Sequence, residues 1–574
     1  EQTVDPVAIE VEVPTGYWER DAAHWPEPVS PSFRFILPLM NRLVRVAMDE
    51  AGMLFEELRL QEVGGWTYMG IVPLGGKDRK PPPAWLSRML MPVMFRVMPK
   101  LRKRVRSSQR FLASDRCGQY IELWHREWRA DAAARIKEFR TVDLKALNDD
   151  DLDGQVAARI DFAEQGWLRH FRLQFPDHLP PAELVFFCQD ELGLGENHAL
   201  QMLSGLSAKT TEPGHKLAEL AALAQRSSNL RRMLEDATYA TGTLRAADPG
   251  FAVAFETYQR EYGCRSLRME PAEKTVAECP ELVLGLIRDQ LARRYDPEAE
   301  GRLQHDRREA ALARARELLV GRDPVLAAHF EHLVKRAQRA YPVREDNEFY
   351  LVSAPTALYR YVLLEIGRRL LDRCQVSNAH DVFFLEMEEA RAALGLGGDQ
   401  RALIKRRQGE LAWVKAHPGP SAYGQKPGEP PPLDGLPPAA RLLTKTLLWM
   451  FEGNVAPVAS AQRHDQRARH LAGVAGSPGR YRGPARVILG EAQFGKIRAG
   501  DVVVCSSPSP VWSVIFPSAG ALITDAGGIL AHAALIAREY GVPAVLATGN
   551  GTRVLRDGQV VTVDGTAGTV VIEG

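Results

Sequence analysis

LITDAGGILAHAALIAREYGVPA, residues 522–544, is the stretch from which the fold is read. It opens with a short apolar strand, Leu522 to Thr524, and passes through Asp525 to the pair Gly527 and Gly528. His532 follows at the head of an apolar periodic run that Gly541 and Pro543 end, as a helix stop and a chain breaker do. Strand, glycine turn and helix in that order point free backbone amides and the positive end of a helix dipole at one spot, where a phosphate can sit. A neutral imidazole there is a nucleophile near pH 7 and can carry a phosphoryl group on a ring nitrogen. On spacing alone, a histidine beside two glycines is more often structural than a phosphoryl carrier.

The wider pattern, TD-x-GG-x-x-x-H-x-A-L-I-A-R-E-x-G-x-P-A-V, resembles the swivelling phosphohistidine domain of the phosphoenolpyruvate-utilising enzymes. That group takes in phosphoenolpyruvate synthase, pyruvate phosphate dikinase and rifampicin phosphotransferase. The resemblance runs over roughly 470–574, through GSPGRYRGPARVI before the motif and DGQVVTVDGTAGTVVI after it. It implies that His532 is the phosphoryl carrier. Thr524, Gly527 and Gly528 then form the phosphate-binding turn with Asp525, and Arg538 matches the family's arginine, for pairing with a phosphate or a carboxylate. The sequence departs from the pattern at Ala531, where the family usually has Ser or Cys; this removes one hydroxyl or thiol and leaves the nucleophile.

Around the motif, ARVILG, DVVVCS, ALITD, PAVLAT, QVVTVDG and GTVVIE read as short strands separated by glycine turns. Upstream, HPGPSAYGQKPGEPPPLDGLPP (417–438) has the Pro and Gly density of a linker, and a short helix over 439–452 follows it. From about 110 to 415 the apolar spacing is helical, with clear periods at 155–172, 214–236, 280–297 and 307–339. NDDDLDG (148–154) has an acidic spacing like a calcium loop but no completing glutamate, and reads as a helix N-cap cluster. The glycines of GLGLGEN and GLGGD follow no strand and read as helix ends. The expected fold is therefore an α+β multidomain protein: a large, mainly helical substrate-binding domain (1–415), a connecting segment (416–469) and a small β/α phosphohistidine domain (470–574).

Three blocks in the helical region are similar to the central part of rifampicin phosphotransferase-like proteins: LSGLSAKTTEPGHKLAELA (203–221), FETYQREYGCRSLRME (255–270), and REDNEFYLVSAPTALYRYVLLEIGRRLLDR with AHDVFFLEMEEA (344–390). They offer Arg265, Arg344, Glu345 and Arg360 as a polar, substrate-binding set, each arginine being equally suited to an ion pair between helices. Nearer the start, the spacing predicts a helix from Pro31 to Leu60, and GGWTYMGIVPLGG (64–76) reads as a strand or hairpin. PPPAWLSRMLMPVMFRVMPKLRKRVR (81–106) joins Met, Leu and aromatic residues to a basic end. It suits a flexible lid over an apolar substrate, an amphipathic segment at a membrane surface, or an ordinary helix with a solvated basic end; Pro92 and Pro99 break any long continuous helix there.

Composition bounds the function. The chain has 574 residues, 73 Lys and Arg against 72 Asp and Glu, and six scattered cysteines with no C-x-x-C spacing. Near-zero net charge argues for neither a nucleic-acid nor an acidic partner, so no nucleic acid is expected, and scattered cysteines fit reduced thiols in a cytoplasmic protein. No apolar run is long enough to span a bilayer.

A phosphohistidine is a relay and needs a donor and an acceptor. The resemblance implies a donor of ATP with Mg²⁺ on an ATP-grasp domain, a region expected to be missing from this chain. A separate subunit supplies it, or the sequence is a fragment, or the activity has changed; no metal site is expected on the chain itself. The expected activity is dikinase-type phosphotransfer through His532 to a hydroxyl of a bulky, apolar small molecule, with elimination of the phosphate ester, a net dehydration, as a variant. Pyruvate is not the expected acceptor, because no alternating strand–helix pattern of a TIM barrel is present. The contrasting expectation is a non-catalytic binding or regulatory protein on the same scaffold.

Overall fold

The computed structural model describes residues 5–22, 24–74, 84–236, 241–266, 269–293, 296–426, 433–454, 470–508, 512 and 515–573. Two compact units emerge, each gathered from separate parts of the chain: 1–176 with 268–273 and 347–447, and 177–267 with 274–346 and 448–574. This grouping cuts across a helical body over 1–415: residues 177–346 pack with the C-terminal sheet, and 347–415 pack with the N-terminal part. In the connecting segment expected over 416–469, residues 427–432 and 455–469 lie outside the described residues.

In the first unit a four-stranded antiparallel sheet, ordered β2-β3-β1-β4, comprises β1 (Trp18–Arg20), β2 (Phe55–Val63), β3 (Trp66–Pro73) and β4 (Ala422–Tyr423). The helix expected over 31–60 stops short. It runs from Ile36 to Ala51 and ends at Gly52, whose φ of 72° is left-handed. After it, FEELRLQEV turns to strand and pairs with β3 across Gly64 and Gly65, both at positive φ, as a tight hairpin turn requires. The start of the expected linker is also structured: Glu19 pairs with Ala422 in the sheet, and the Tyr68 hydroxyl donates to the Pro420 carbonyl at 2.7 Å. NDDDLDG is a helix start, the Asn148 side chain accepting the Asp151 amide at 2.8 Å.

The second unit combines helices, among them Ala208–Arg226, Pro249–Tyr262, Pro280–Arg293, Pro297–Leu319 and Pro324–Ala340, with a sheet of eight strands among the described residues. These are β5 (His470–Ala472), β6 (Val474–Ser477), β7 (Arg480–Val487), β8 (Val502–Cys505), β9 (Ala521–Thr524), β10 (Ala544–Leu546), β11 (Val560–Asp564) and β12 (Thr569–Ile572), ordered β5-β12-β11-β7-β8-β9-β10-β6. The central run β7-β8-β9-β10 is parallel and the flanks are antiparallel. Alternation along the strands divides the apolar side chains between two cores. Val502, Val504 and Ile523 face a core with Val561 and Val563. Val503, Cys505 and Leu522 face the other, shared with Leu217, Phe255 and Ile287 of the helices. A sheet buried on both faces is what parallel strands require. Among the described residues no helix is long and apolar enough to cross a membrane.

Candidate functional site

β9 delivers the chain into the glycine turn. Thr524 is fully buried; its hydroxyl donates to the Ala526 carbonyl at 2.7 Å, and its carbonyl accepts from the Thr548 amide and hydroxyl, both at 2.9 Å. Asp525 accepts the Thr552 amide at 3.0 Å and also bonds the Thr552 hydroxyl. Gly527 takes φ 105°, a backbone that side chains rarely adopt. Gly528 is required for another reason. A Cβ there would stand 2.3 Å from the Gly453 carbonyl oxygen, which accepts the Leu530 amide at 2.7 Å.

The helix that follows runs from His532 to Glu539, and every residue from Ala533 to Glu539 is buried. Ala531 is extended and lacks a capping side chain, so the first turn keeps its amides pointed at whatever lies beyond the helix end. His532 sits at that first position with its side chain 33% exposed. Its Nδ1 lies 3.0 Å from Glu345 Oε1. A carboxylate can only accept, so Nδ1 carries the hydrogen, and in the neutral ring Nε2 is then the nitrogen with the lone pair.

Glu345 itself is 7% exposed at its side chain. Burial pushes its pKa up, but His532, Arg344 and Arg265 together outweigh that and hold it below the ordinary glutamate value. Arg344 is fixed by donating to the Leu530 carbonyl at 2.6 Å, two residues before the histidine. The fold thus gathers His532, Glu345, Arg344 and Arg265 into one charged cluster. Arg360 belongs to the other unit, where it is fully buried, donates to the Pro271 and Ala272 carbonyls at 2.8 and 3.0 Å, and lies over the Phe383 ring. Arg538, 3% exposed, donates to the Gly476 carbonyl at 2.7 Å and the Ile529 carbonyl at 2.9 Å, tying β6 to the histidine loop.

Two residues at the site have no counterpart among the sequence candidates. Glu539, 2% exposed, accepts the amides of Gly205 and Ser207 at 3.1 and 3.4 Å; burial pushes its pKa up to about 8 against the pull of those amides and of Arg538. Its signal was the one carboxylate in the helix, placed directly after the run Ala533–Ala537 and Arg538. The second is Gly453, whose part is played by a backbone carbonyl and leaves no trace in residue type. Among the described residues no three His, Cys, Asp or Glu side chains come together as a metal would require.

Comparison with known proteins agrees with this geometry. Residues 497–568 match the family model of the PEP-utilising enzyme mobile domain, and residues 183–345 that of the rifampicin phosphotransferase fourth domain. His532 lies in the first and Arg265, Arg344 and Glu345 in the second, so the cluster is where the two matched regions meet. An uncharacterised phosphotransferase, YvkC, of Bacillus subtilis is 31% identical over 414 residues, 70% of this chain and 47% of that protein. A rifampicin phosphotransferase of a Streptomyces species is 29% identical over 407 residues, 68% of this chain and 43% of its own length. Chondramide synthase of Chondromyces crocatus is 29% identical over 418 residues, 71% of this chain and 10% of the synthase. The chain spans about half the length of the two phosphotransferases it matches. Motif, sheet and matched regions agree: the chain belongs to the phosphoenolpyruvate-utilising enzyme family, among the relatives of the rifampicin phosphotransferases.

Proposed function

We propose that the chain is the phosphohistidine-carrying and acceptor-binding part of a dikinase-type phosphotransferase, with His532 Nε2 as the atom that accepts and donates the phosphoryl group. The observation that carries this is the pairing of His532 Nδ1 with Glu345 at 3.0 Å, which leaves the opposite nitrogen as nucleophile. When Nε2 bonds to phosphorus, the bond from phosphorus to the leaving oxygen breaks and the ring becomes an imidazolium. A carboxylate beside Nδ1 offsets that charge. In the second half-reaction an acceptor hydroxyl displaces the imidazole, giving up its proton to solvent or a base as the N–P bond breaks. Arg344 and Arg265 bring positive charge to the place where the equatorial oxygens carry negative charge, the usual basis of phosphoryl transfer.

The donor in this reading is ATP with Mg²⁺ on an ATP-grasp domain, in a longer form of the protein or on a partner. In this reading that domain, and not this chain, holds the Mg²⁺ that neutralises the nucleotide's phosphates. The acceptor is a hydroxyl of a bulky, apolar small molecule, and the product is its phosphate ester or, after elimination of phosphate, the alkene. Thr524, Gly527 and Gly528 shape the phosphate-binding turn; Arg538 supports it from behind, through the two carbonyls it holds.

The test is labelling. With Mg–ATP and an ATP-grasp partner, or with phosphoramidate as a small phosphoryl donor, the chain should gain one acid-labile, base-stable phosphate at His532. His532→Ala and His532→Asn should gain none while remaining folded. Wild-type turnover by His532→Ala would refute the relay.

A further inference from the structure

The phosphohistidine chemistry makes no use of the apolar and basic stretch near residue 90. There the chain forms two helices, Ala84–Val97 and Pro99–Ala113. Met98 between them is extended and Pro99 opens the second helix, so Pro99 breaks the run as expected, whereas Pro92 lies inside the first helix and does not end it. On the first helix Met91 is turned inward and 8% exposed. Met89, Leu90, Val93, Met94, Val97 and Met98 are 37 to 67% exposed. Positions 89, 93 and 97 form one i, i+4 row, and 90, 94 and 98 form the row beside it; together they make one continuous apolar stripe. Stripes of this kind on a water-soluble surface mark a docking face.

Charge says what docks. From Pro81 to Ser114 the sequence has eight Lys and Arg and no Asp or Glu. Lys100 and Arg104 are engaged within the unit, with Glu56 at 3.3 Å and with Asp49. Arg102, Lys103, Arg106 and Arg110 are exposed, and among the described residues none of the four forms an ion pair. Arg102, Arg106 and Arg110 again follow one i, i+4 row. We infer that the helix pair is a docking surface for an anionic lipid bilayer, the Met, Leu and Val stripe entering the acyl boundary and the basic row lying among the headgroups. The described part of the stripe offers flexible Met, Leu and Val where a protein interface would be anchored on Trp, Tyr or Arg in a pocket. Such a stripe suits a fluid phase, and binding of this kind is peripheral.

The experiment is flotation of the full chain with vesicles of phosphatidylcholine alone and of phosphatidylcholine mixed with phosphatidylglycerol. The chain should float with the mixed vesicles at low salt, sink at high salt, and sink with the neutral ones. Arg102→Gln and Arg106→Gln should each weaken binding about fivefold. Val93→Asp with Val97→Asp should abolish binding at unchanged circular dichroism, because both side chains are already in water. The inference is overturned if the wild type fails to float with the mixed vesicles at low salt, or if the variants float as the wild type does. It is equally overturned if Val93→Asp dissolves a dimer of a chain that binds no vesicles, since a second copy would then cover the stripe.

Discussion

At His532 the chemistry turns on which ring nitrogen keeps its lone pair, and Glu345 decides it. Glu345→Gln keeps the size of the side chain and removes its charge. The amide can offer either an oxygen or an N–H to Nδ1, so both the tautomer and the compensation of the imidazolium are lost. The expected result is a fall of about a hundredfold in the rate of histidine phosphorylation by phosphoramidate, with the labelled residue still His532. An unchanged rate would show that Glu345 is a bystander. Glu539 makes a separate prediction. Its folded pKa lies near 8, so between the ordinary glutamate value and about 8 the folded state holds a proton that the unfolded chain has released. Its contribution to stability is therefore complete at low pH and is lost as pH rises through that window. Glu539→Gln should flatten this part of the stability–pH profile, measured by urea denaturation at several pH values; a variant profile parallel to the wild type would refute the assignment. His532 was legible because a nucleophile, a glycine turn and a helix start coincide within ten residues. Arg265, Arg344 and Glu345 came from the resemblance alone, because only folding brings three distant stretches of chain together.

Among the elements, the glycine turn is the one whose tolerance can be tested most sharply. Gly528→Ala places a methyl group 2.3 Å from the Gly453 oxygen, a backbone atom that cannot swing aside. It should cost about 1–3 kcal/mol in denaturant unfolding and slow phosphorylation of His532, because the loop that aims the ring must shift. Stability and rate both at wild-type level would show that the loop has room to spare. The same element shows where sequence legibility ends. Strand, turn and helix were readable from local pattern, whereas the close approach of residue 453 was not. Helix and strand were confused over 55–60 for a related reason: FEELRL satisfies both periods, and pairing across Gly64 and Gly65 settles it in favour of the strand. Likewise β4 looked like linker because two residues are too short to show a pattern, and only Trp18 and Glu19 opposite make them a strand.

For the whole molecule, α+β organisation with a C-terminal sheet was legible from the strand and helix periodicities, while the grouping of residues 177–346 with that sheet was not. Helical periodicity says that a face is buried and not against what; Leu217, Phe255 and Ile287 share a core with the sheet strands only because the chain returns to them more than two hundred residues later. We propose that 470–574 is nonetheless the body that carries the phosphoryl group, tethered through 416–469. Limited proteolysis is then expected to cut within 416–469 and leave a resistant C-terminal piece beginning near residue 470. Cutting confined to 200–390 would refute the division. The Gly453 carbonyl adds a condition of its own. It lies within that connecting segment, outside 470–574, yet it closes the turn that presents the histidine, through Leu530 and against Gly528. A C-terminal domain transplanted between relatives from residue 470 onward would arrive without it. The heritable module is therefore wider than the sheet, and recombination that parts residue 453 from residue 528 has to find a new lining for the turn.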